Sequence, residues 1–294
     1  MFDFIEKNKD ISELSNFKTK AKAKYYYEIH NLDQLDELKK IFKHIIENNT
    51  QHLIVWGWTN MLFAFNLYDW IVIKNNLNWW TYNENTKILE SYSAESIWDI
   101  SQILETDDNQ DLWHRFIGLP WSIWGAVYWN AWCFWLETEN NFVEAFVLDK
   151  TTGETKFLSK SDMNFSYRSS ILKETNKYFL LKIKFDLSKK IEKYHSDVDN
   201  IYFREHKQPI WNTCGSFFKN PNKDNSAGKL IEEVGLKWYK IWWASFSELH
   251  ANFLMNNGQG DYNDLLNLIQ LAQQKVKEKF NINLVNEVRI ITNK

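Results

Sequence analysis

Tryptophan occupies positions in this chain where a tight turn calls for glycine, and this limits what the chain can fold into more than any other feature. Sixteen tryptophans stand beside nine glycines in 294 residues. Glycine ordinarily makes up about 7% of a globular chain. The two types together, 25 residues, come close to that share. Seven of the tryptophans (Trp56, Trp58, Trp121, Trp124, Trp129, Trp132 and Trp135) fall in two short stretches, His52-Leu-Ile-Val-Trp-Gly-Trp-Thr-Asn60 and Gly118-Leu-Pro-Trp-Ser-Ile-Trp-Gly-Ala-Val-Tyr-Trp-Asn-Ala-Trp-Cys-Phe-Trp135. A strand followed by small residues and Thr-Asn is where a backbone approaches a phosphate, and glycine there combines φ > 0 with an unobstructed N–H. The pattern implies a source that reads UGA as glycine, with tryptophan written at 15 of the 16 positions. Trp98 is set apart, because Ser93-Ala-Glu-Ser-Ile-Trp-Asp99 leads into a helical pattern. The competing reading is a Trp-rich module that stacks sugar rings or bases on its indoles. It is disfavoured because each buried indole N–H needs a partner.

Bulk properties narrow the class. A chain of 294 residues holds two domains with separate cores. The net charge of −3 and pI near 6.2 give no global field for nucleic acid or anionic lipid. Lys18, Lys20, Lys22 and Lys24 alternate, as on one solvated face of a strand. No apolar run is long enough to span a membrane and the start lacks a signal-peptide pattern, so a cytoplasmic protein is expected, and a monomer is taken as the default. Two distant cysteines, Cys133 and Cys214, suit a reducing compartment, and the seven histidines form no ligand cluster, so no metal is expected.

Along the chain, residues 24–29 and 52–55 read as strands, and Leu35, Leu38, Phe42 and Ile45 as one helix face behind Asn31 and Asp33. Strands are expected at 71–73, 87–91, 143–149 and 178–186, with a helix at 97–104. The polar run 188–197 marks a boundary between domains 1–187 and 188–294. Beyond it, Ala227, Leu230, Ile231 and Val234 form a helix face closed by Gly235. Leu265, Ile269, Ala272, Val276 and Phe280 mark a longer helix, and 284–291 a last strand. The fold class is α+β.

With glycine restored, the first stretch becomes Val-Gly-Gly-Gly-Thr-Asn-Met-Leu, whose adjacent N–H groups form a nest for pyrophosphate. The second becomes Gly-Leu-Pro-Gly-Ser-Ile-Gly-Gly-Ala-Val-Tyr-Gly-Asn-Ala-Gly. Neither has the strand–GxGxxG–helix arrangement of a Rossmann domain. A dinucleotide in an extended groove between strand-rich subdomains fits better.

These loops, together with Cys214-Gly-Ser-Phe-Phe-Lys-Asn-Pro221, Ser226-Ala-Gly-Lys-Leu-Ile-Glu-Glu-Val-Gly235, the stretch 236–253 and Asn286-Glu-Val-Arg-Ile-Ile291, resemble the MurB family of UDP-N-acetylenolpyruvoylglucosamine reductases. The resemblance runs from about Asn16 to the C-terminus. It implies an N-terminal FAD-binding domain of the vanillyl-alcohol oxidase (PCMH) type and a smaller C-terminal substrate domain. NADPH would reduce non-covalently held FAD, and UDP-N-acetyl-enolpyruvoylglucosamine would then be reduced to UDP-N-acetylmuramate for peptidoglycan. By motif, the resemblance assigns FAD contacts to Val55, Trp56, Gly57, Trp58, Thr59, Asn60 and Met61 in the first loop. In the second it assigns Gly118, Pro120, Trp121, Ser122, Ile123, Trp124, Gly125, Ala126, Asn130 and Ala131. Arg168, in Asn164-Phe-Ser-Tyr-Arg-Ser169, and Glu287 match the family's enolate-stabilising pair, Glu287 acting protonated or through a hydrogen bond. Ser216 matches the proton donor. Asn220 and His250 are substrate-contact candidates.

Two departures from the family pattern stand out. Phe17-Lys-Thr-Lys-Ala21 lacks a pair of glycines usual after Phe-Lys, and Ile290-Ile-Thr-Asn-Lys294 replaces the usual ending. A different flavin-dependent oxidation is the second enzymatic reading.

Overall fold

The computed structural model describes all residues except 1, 58–59, 109, 190–201, 203–205, 210–211, 259 and 294. The chain is α+β and forms two compact units that interleave along the sequence. The first comprises Met1–Tyr26, Trp58–Ile71 and Tyr202–Lys294; the second comprises Tyr27–Gly57 and Val72–Ile201. The chain passes between them inside the strands Lys22–Ile29 and Leu67–Asn75. A single cut at 187/188 therefore does not separate the units. Most of the polar run 188–197 lies outside the described residues.

In the first unit the long helix Tyr262–Phe280 buries Leu265, Leu268, Ile269, Ala272 and Val276, one face at helical spacing. Asp261 caps its start by accepting from the Asn263 N–H, and Asn281 ends it in the left-handed region at φ 56°. That face packs into a core with Phe17, Leu62, Phe217, Phe218, Leu230, Ile231 and Leu254. Beside it runs an antiparallel sheet in the order Lys240–Ile241, Ala244–Phe246, Leu254–Asn256. Met61–Phe63 pairs in parallel with Arg289–Ile291, Met61 opposite Arg289. The expected strand 284–291 is thus shorter. Its first half instead exchanges backbone bonds with the Phe217–Lys219 segment, as the next subsection describes.

The second unit is built on a five-stranded antiparallel sheet. The order is Thr155–Ser159, Phe142–Asp149, Tyr178–Asp186, Ile88–Tyr92, Trp80–Asn83. The central strand Tyr178–Asp186 buries Phe179, Leu180, Leu181, Ile183 and Phe185. Helix Leu35–Glu47 buries Leu38, Ile41, Phe42 and Ile45, and the Phe42 ring meets Phe179 at 6.0 Å. Helix Ile97–Asp107 starts at Ser96, whose hydroxyl accepts from the Asp99 N–H. A further helix, Ile123–Tyr128, lies inside the second glycine-like stretch, which punctuation alone suggested was loop.

Candidate active site

In the first unit, Ser216 and Glu287 are placed on neighbouring backbone segments. Gly215 sits at φ +85°, a value that favours glycine, and turns the chain into Ser216, which bridges to Phe253. Phe217 and Phe218 then plunge into the core, 0% and 1% exposed, and anchor the segment. Their backbone is held from one side by Asn252. Its carbonyl accepts from the Phe217 N–H at 2.7 Å, its Oδ1 accepts from the Phe218 N–H at 2.9 Å, and its Nδ2 donates to the Phe218 carbonyl at 2.8 Å. From the other side, the Glu287 N–H donates to the Phe217 carbonyl at 2.8 Å, and the Lys219 N–H to the Val285 carbonyl at 2.9 Å. Asn60 joins them: its Nδ2 donates to the Glu287 carbonyl at 3.4 Å, and its own carbonyl accepts from the Arg289 N–H at 3.0 Å. Ser216 and Glu287 are both half-buried. Asn60, Ser216 and Glu287, named from three distant motifs, are thereby tied into one local network.

The other first-unit candidates are engaged by protein atoms. Asn220 Oδ1 accepts from the Ala227 N–H at 3.0 Å, which fixes the entry to helix Ala227–Glu233 and leaves the Nδ2 end facing outward from that bond. His250 Nδ1 accepts from the Asn252 N–H at 3.2 Å, and burial depresses its pKa, so the ring is held neutral. Gly228 makes room for it, since a Cβ there would lie 3.1 Å from His250 Cε1. Cys214 is a thiol, pushed up to about 12 chiefly by burial, with Sγ 3.7 Å from the Met61 carbonyl.

Arg168 belongs to the second unit. It sits at φ +57° in a tight turn closed by reciprocal backbone bonds between Ser166 and Ser169, at 3.1 and 3.0 Å. Three side chains brace that turn. Lys173 Nζ donates to the Arg168 carbonyl at 2.7 Å, Asn130 Nδ2 to the Ser166 carbonyl at 3.3 Å, and Ser170 Oγ to the Tyr128 carbonyl at 2.9 Å. Asn130 in turn accepts from the Glu139 N–H. Burial raises the Glu137 pKa, with Glu139 adding to it and the Arg168 charge opposing. A non-glycine residue at positive φ, held this firmly, is backbone strain of the kind that clusters at functional sites. Lys173 carried no motif, and Asn252, although inside the stretch 236–253, had no assigned role; the three-dimensional bonding reveals both.

The two glycine-like stretches meet inside the second unit. Gly57 has φ +42°, and a Cβ there would stand 3.2 Å from Ser122 Cβ. Ser122 starts helix Ile123–Tyr128 by accepting from the Gly125 N–H at 3.3 Å. Val55 is fully buried at the end of its strand, and Ala126, Asn130 and Ala131 are 0% exposed. Of the first loop, Trp58 and Thr59 lie outside the described residues. Asn60 Oδ1, in the first unit, is buried without a hydrogen-bond partner, an acceptor left over for a bound group. The main chain of these loops suits a pyrophosphate; two of the side chains do not. The Trp56 and Trp124 indoles stack at 5.0 Å and 9°, both buried, and Trp124 Nε1 has no partner. Trp56 Nε1 lies 3.4 Å from where a Gly125 Cβ would stand, so this stacked pair occupies the space beside the second loop. Among the described residues no helix is long and apolar enough to cross a membrane.

A two-unit α+β chain with a serine and a glutamate on bonded segments, and with paired glycine-type loops, is the framework of a dinucleotide-dependent enzyme. Residues 206–291 match the UDP-N-acetylenolpyruvoylglucosamine reductase C-terminal domain. The chain is 36% identical over 293 residues to the UDP-N-acetylenolpyruvoylglucosamine reductase of Caldicellulosiruptor saccharolyticus, covering 97% of this chain and 91% of that one. It is 32% identical to the corresponding protein of Petrotoga mobilis, covering 84% and 82%. A crystal structure of the reductase (MurB) from Thermus caldophilus shares the fold with a TM-score of 0.76 at 21% identity, covering 98% and 99%. The chain belongs to the UDP-N-acetylenolpyruvoylglucosamine reductase family.

Proposed function

We propose that this chain catalyses the FAD-dependent, NADPH-driven reduction of UDP-N-acetyl-enolpyruvoylglucosamine to UDP-N-acetylmuramate, a step in peptidoglycan precursor synthesis. The observation that carries the reading is the end-to-end match at 36% identity to a named reductase. When bound and reduced by NADPH, FAD supplies the hydride. Its pyrophosphate would be held by main-chain N–H groups of the loops around Gly57 and Gly118–Ala131, while Asn60 Oδ1, an acceptor, suits a donor group of the cofactor instead. We assign the flavin-holding residues to 1–187 and the substrate-specific ones chiefly to 188–294, a division of labour along the sequence distinct from the contact units. The enzyme acts as a cytoplasmic monomer.

The remaining chemistry falls to side chains. As the terminal enol carbon accepts hydride, its double-bond electrons move onto the adjacent carbon and into the carboxylate. Arg168 stabilises that charge by its fixed guanidinium, and Glu287 by a hydrogen bond. Ser216 Oγ gives its proton to the adjacent carbon and completes the saturated lactyl ether. Asn220 through Nδ2 and His250 through Nε2 contact the substrate, their other polar atoms being occupied by the protein.

Rapid-mixing absorbance on Ser216→Ala tests the assignment. NADPH bleaches the flavin without needing a proton donor at the substrate, so bleaching keeps the parent rate. Reoxidation by the enolpyruvyl substrate slows by about 10²–10⁴-fold, the usual contribution of a positioned acid. Reoxidation at the parent rate would make the serine structural.

A further inference from the structure

We infer that the functional chain carries glycine at residues 70, 124, 135, 238 and 242, but tryptophan at residue 113. The separation rests on backbone and hydrogen-bond geometry alone, and it holds whatever reaction the chain catalyses.

Two of the five sit in hairpin loops. Trp132–Cys133 pairs with Leu136–Glu137, Cys133 opposite Leu136, so Phe134 and Trp135 form a two-residue connection. Both have positive φ, +46° and +69°. Two-residue loops with both central residues in that region are type I′ turns, whose second position is ordinarily glycine. Lys240–Ile241 pairs with Ala244–Phe246, Ile241 opposite Ala244, which leaves Trp242 and Trp243 as another two-residue loop. Trp242 opens it at φ +48°, and both turn types that suit such hairpins want glycine, asparagine or aspartate there. Trp238 adds φ +60°. A bulky side chain at positive φ is a genuine outlier. Among the described residues the aromatic cases are Phe134 and three tryptophans, and the tryptophans Trp135, Trp238 and Trp242, 66%, 66% and 78% exposed, gain no burial that would offset the strain. Asparagine, whose side chain allows this conformation, takes it at seven other described positions, Asn8, Asn49, Asn130, Asn164, Asn176, Asn212 and Asn281, and the remaining non-glycine cases are Lys18, Lys87, Phe134 and Arg168.

The other two fail through their indoles. Trp70 Nε1 and Trp124 Nε1 are buried with no hydrogen-bond partner. Buried indole N–H groups normally find one. Glycine removes the orphaned donor and, at 124, the ring stacked on Trp56.

Trp113 behaves in the opposite way. It is 0% exposed, its Nε1 donates to Asn141 Oδ1 at 3.2 Å, and its ring stands edge-on to Phe185 at 4.8 Å and Phe116 at 5.5 Å. Its neighbours form a socket for an indole, which glycine would leave as a cavity. It is therefore an exception to the expected replacement at 15 of 16 positions. The five positions share one codon, UGA, read as glycine in the source, whereas residue 113 has the ordinary tryptophan codon.

Peptide mass spectrometry of the chain isolated from its source cells tests this directly. Glycine in the peptides covering 70, 124, 135, 238 and 242, with tryptophan at 113, is the expected result. Tryptophan at 135, 238 and 242 overturns the inference, and glycine at 113 overturns the separation of the two kinds. A second measurement uses recombinant chain. Trp135→Gly and Trp242→Gly should each hold or raise the melting temperature, whereas Trp113→Gly should lower it by several degrees. A lowering in all three would show that the exposed indoles support the fold, and would refute the assignment.

Discussion

Asn252 bonds both backbone groups of Phe218 with a single side chain, and its own carbonyl takes the Phe217 N–H. Asn252 is 2% exposed, so no water can replace those bonds readily. Asn252→Ala leaves a buried N–H and a buried carbonyl unpaired at the segment that carries Ser216. Each unsatisfied group costs about 1–3 kcal/mol. A fall in unfolding free energy of about 2–4 kcal/mol is expected from urea titration, with a lowered kcat because the Ser216 segment loses its brace. A loss under 0.5 kcal/mol, roughly the size of a neutral surface change, would show that Asn252 is replaceable. In the sequence this residue lies in the resembling stretch 236–253, but its bracing role was not legible, since amide clasps have no spacing rule.

The turn that presents Arg168 shows stability and activity pulling apart within one element. Its φ of +57° suits glycine better than arginine, yet Lys173, Asn130 and Ser170 hold the turn in that shape. Arg168→Gly keeps every one of those bonds, because Lys173 reaches the backbone carbonyl rather than the side chain. The variant should gain up to about 1 kcal/mol, from relief of αL strain, while turnover of the enolpyruvyl substrate collapses. Chemical denaturation alongside steady-state assay checks both halves. A loss of stability would mean that the guanidinium itself braces the fold. Elements with strong periodicity were legible from the residues alone. Leu265, Ile269, Ala272 and Val276 marked the helix Tyr262–Phe280, and Leu38, Phe42 and Ile45 the helix Leu35–Glu47. Helix Ile123–Tyr128 was not, because six residues offer less than two turns of pattern and the interleaved tryptophans disguise it. The strand expected from residue 284 begins only at Arg289, since Val285–Val288 spend their backbone bonds on the Phe217–Lys219 segment instead.

For the whole molecule, His52 is a contributor to the pH dependence of folding, alongside His250, whose pKa burial also lowers. His52 is half-buried in the second unit against Phe42, and its pKa is pushed down to about 4, first by desolvation and then by the nearby Lys150 charge. The unfolded chain protonates this histidine below about 6.5. Between pH 6.5 and 4 the unfolded state therefore binds the extra proton, and stability falls as pH falls. The contribution is fully present above pH 6.5, is lost on passing down to about 4, and amounts to at most about 3 kcal/mol. Thermal melts of the parent chain should drop across that window, and those of His52→Phe should drop less. Parallel slopes would locate the acid sensitivity elsewhere. Ser216 and Glu287 were readable as motifs, but their attachment to Asn60 was not, because it joins residues 227 positions apart.

The parallel pairing of Met61–Phe63 with Arg289–Ile291 has a bearing on how such a chain can change over generations. The interior of the C-terminal third is completed from outside it: Phe17 and Leu62 are part of it, and its last strand has its partner in the first quarter of the gene. A recombination crossover near the middle of the coding sequence would divide a single cooperative core between two parents. A C-terminal region taken from another parent would therefore meet a Met61–Phe63 strand and a Phe17–Leu62 core face shaped for a different partner, and such an exchange should cost stability.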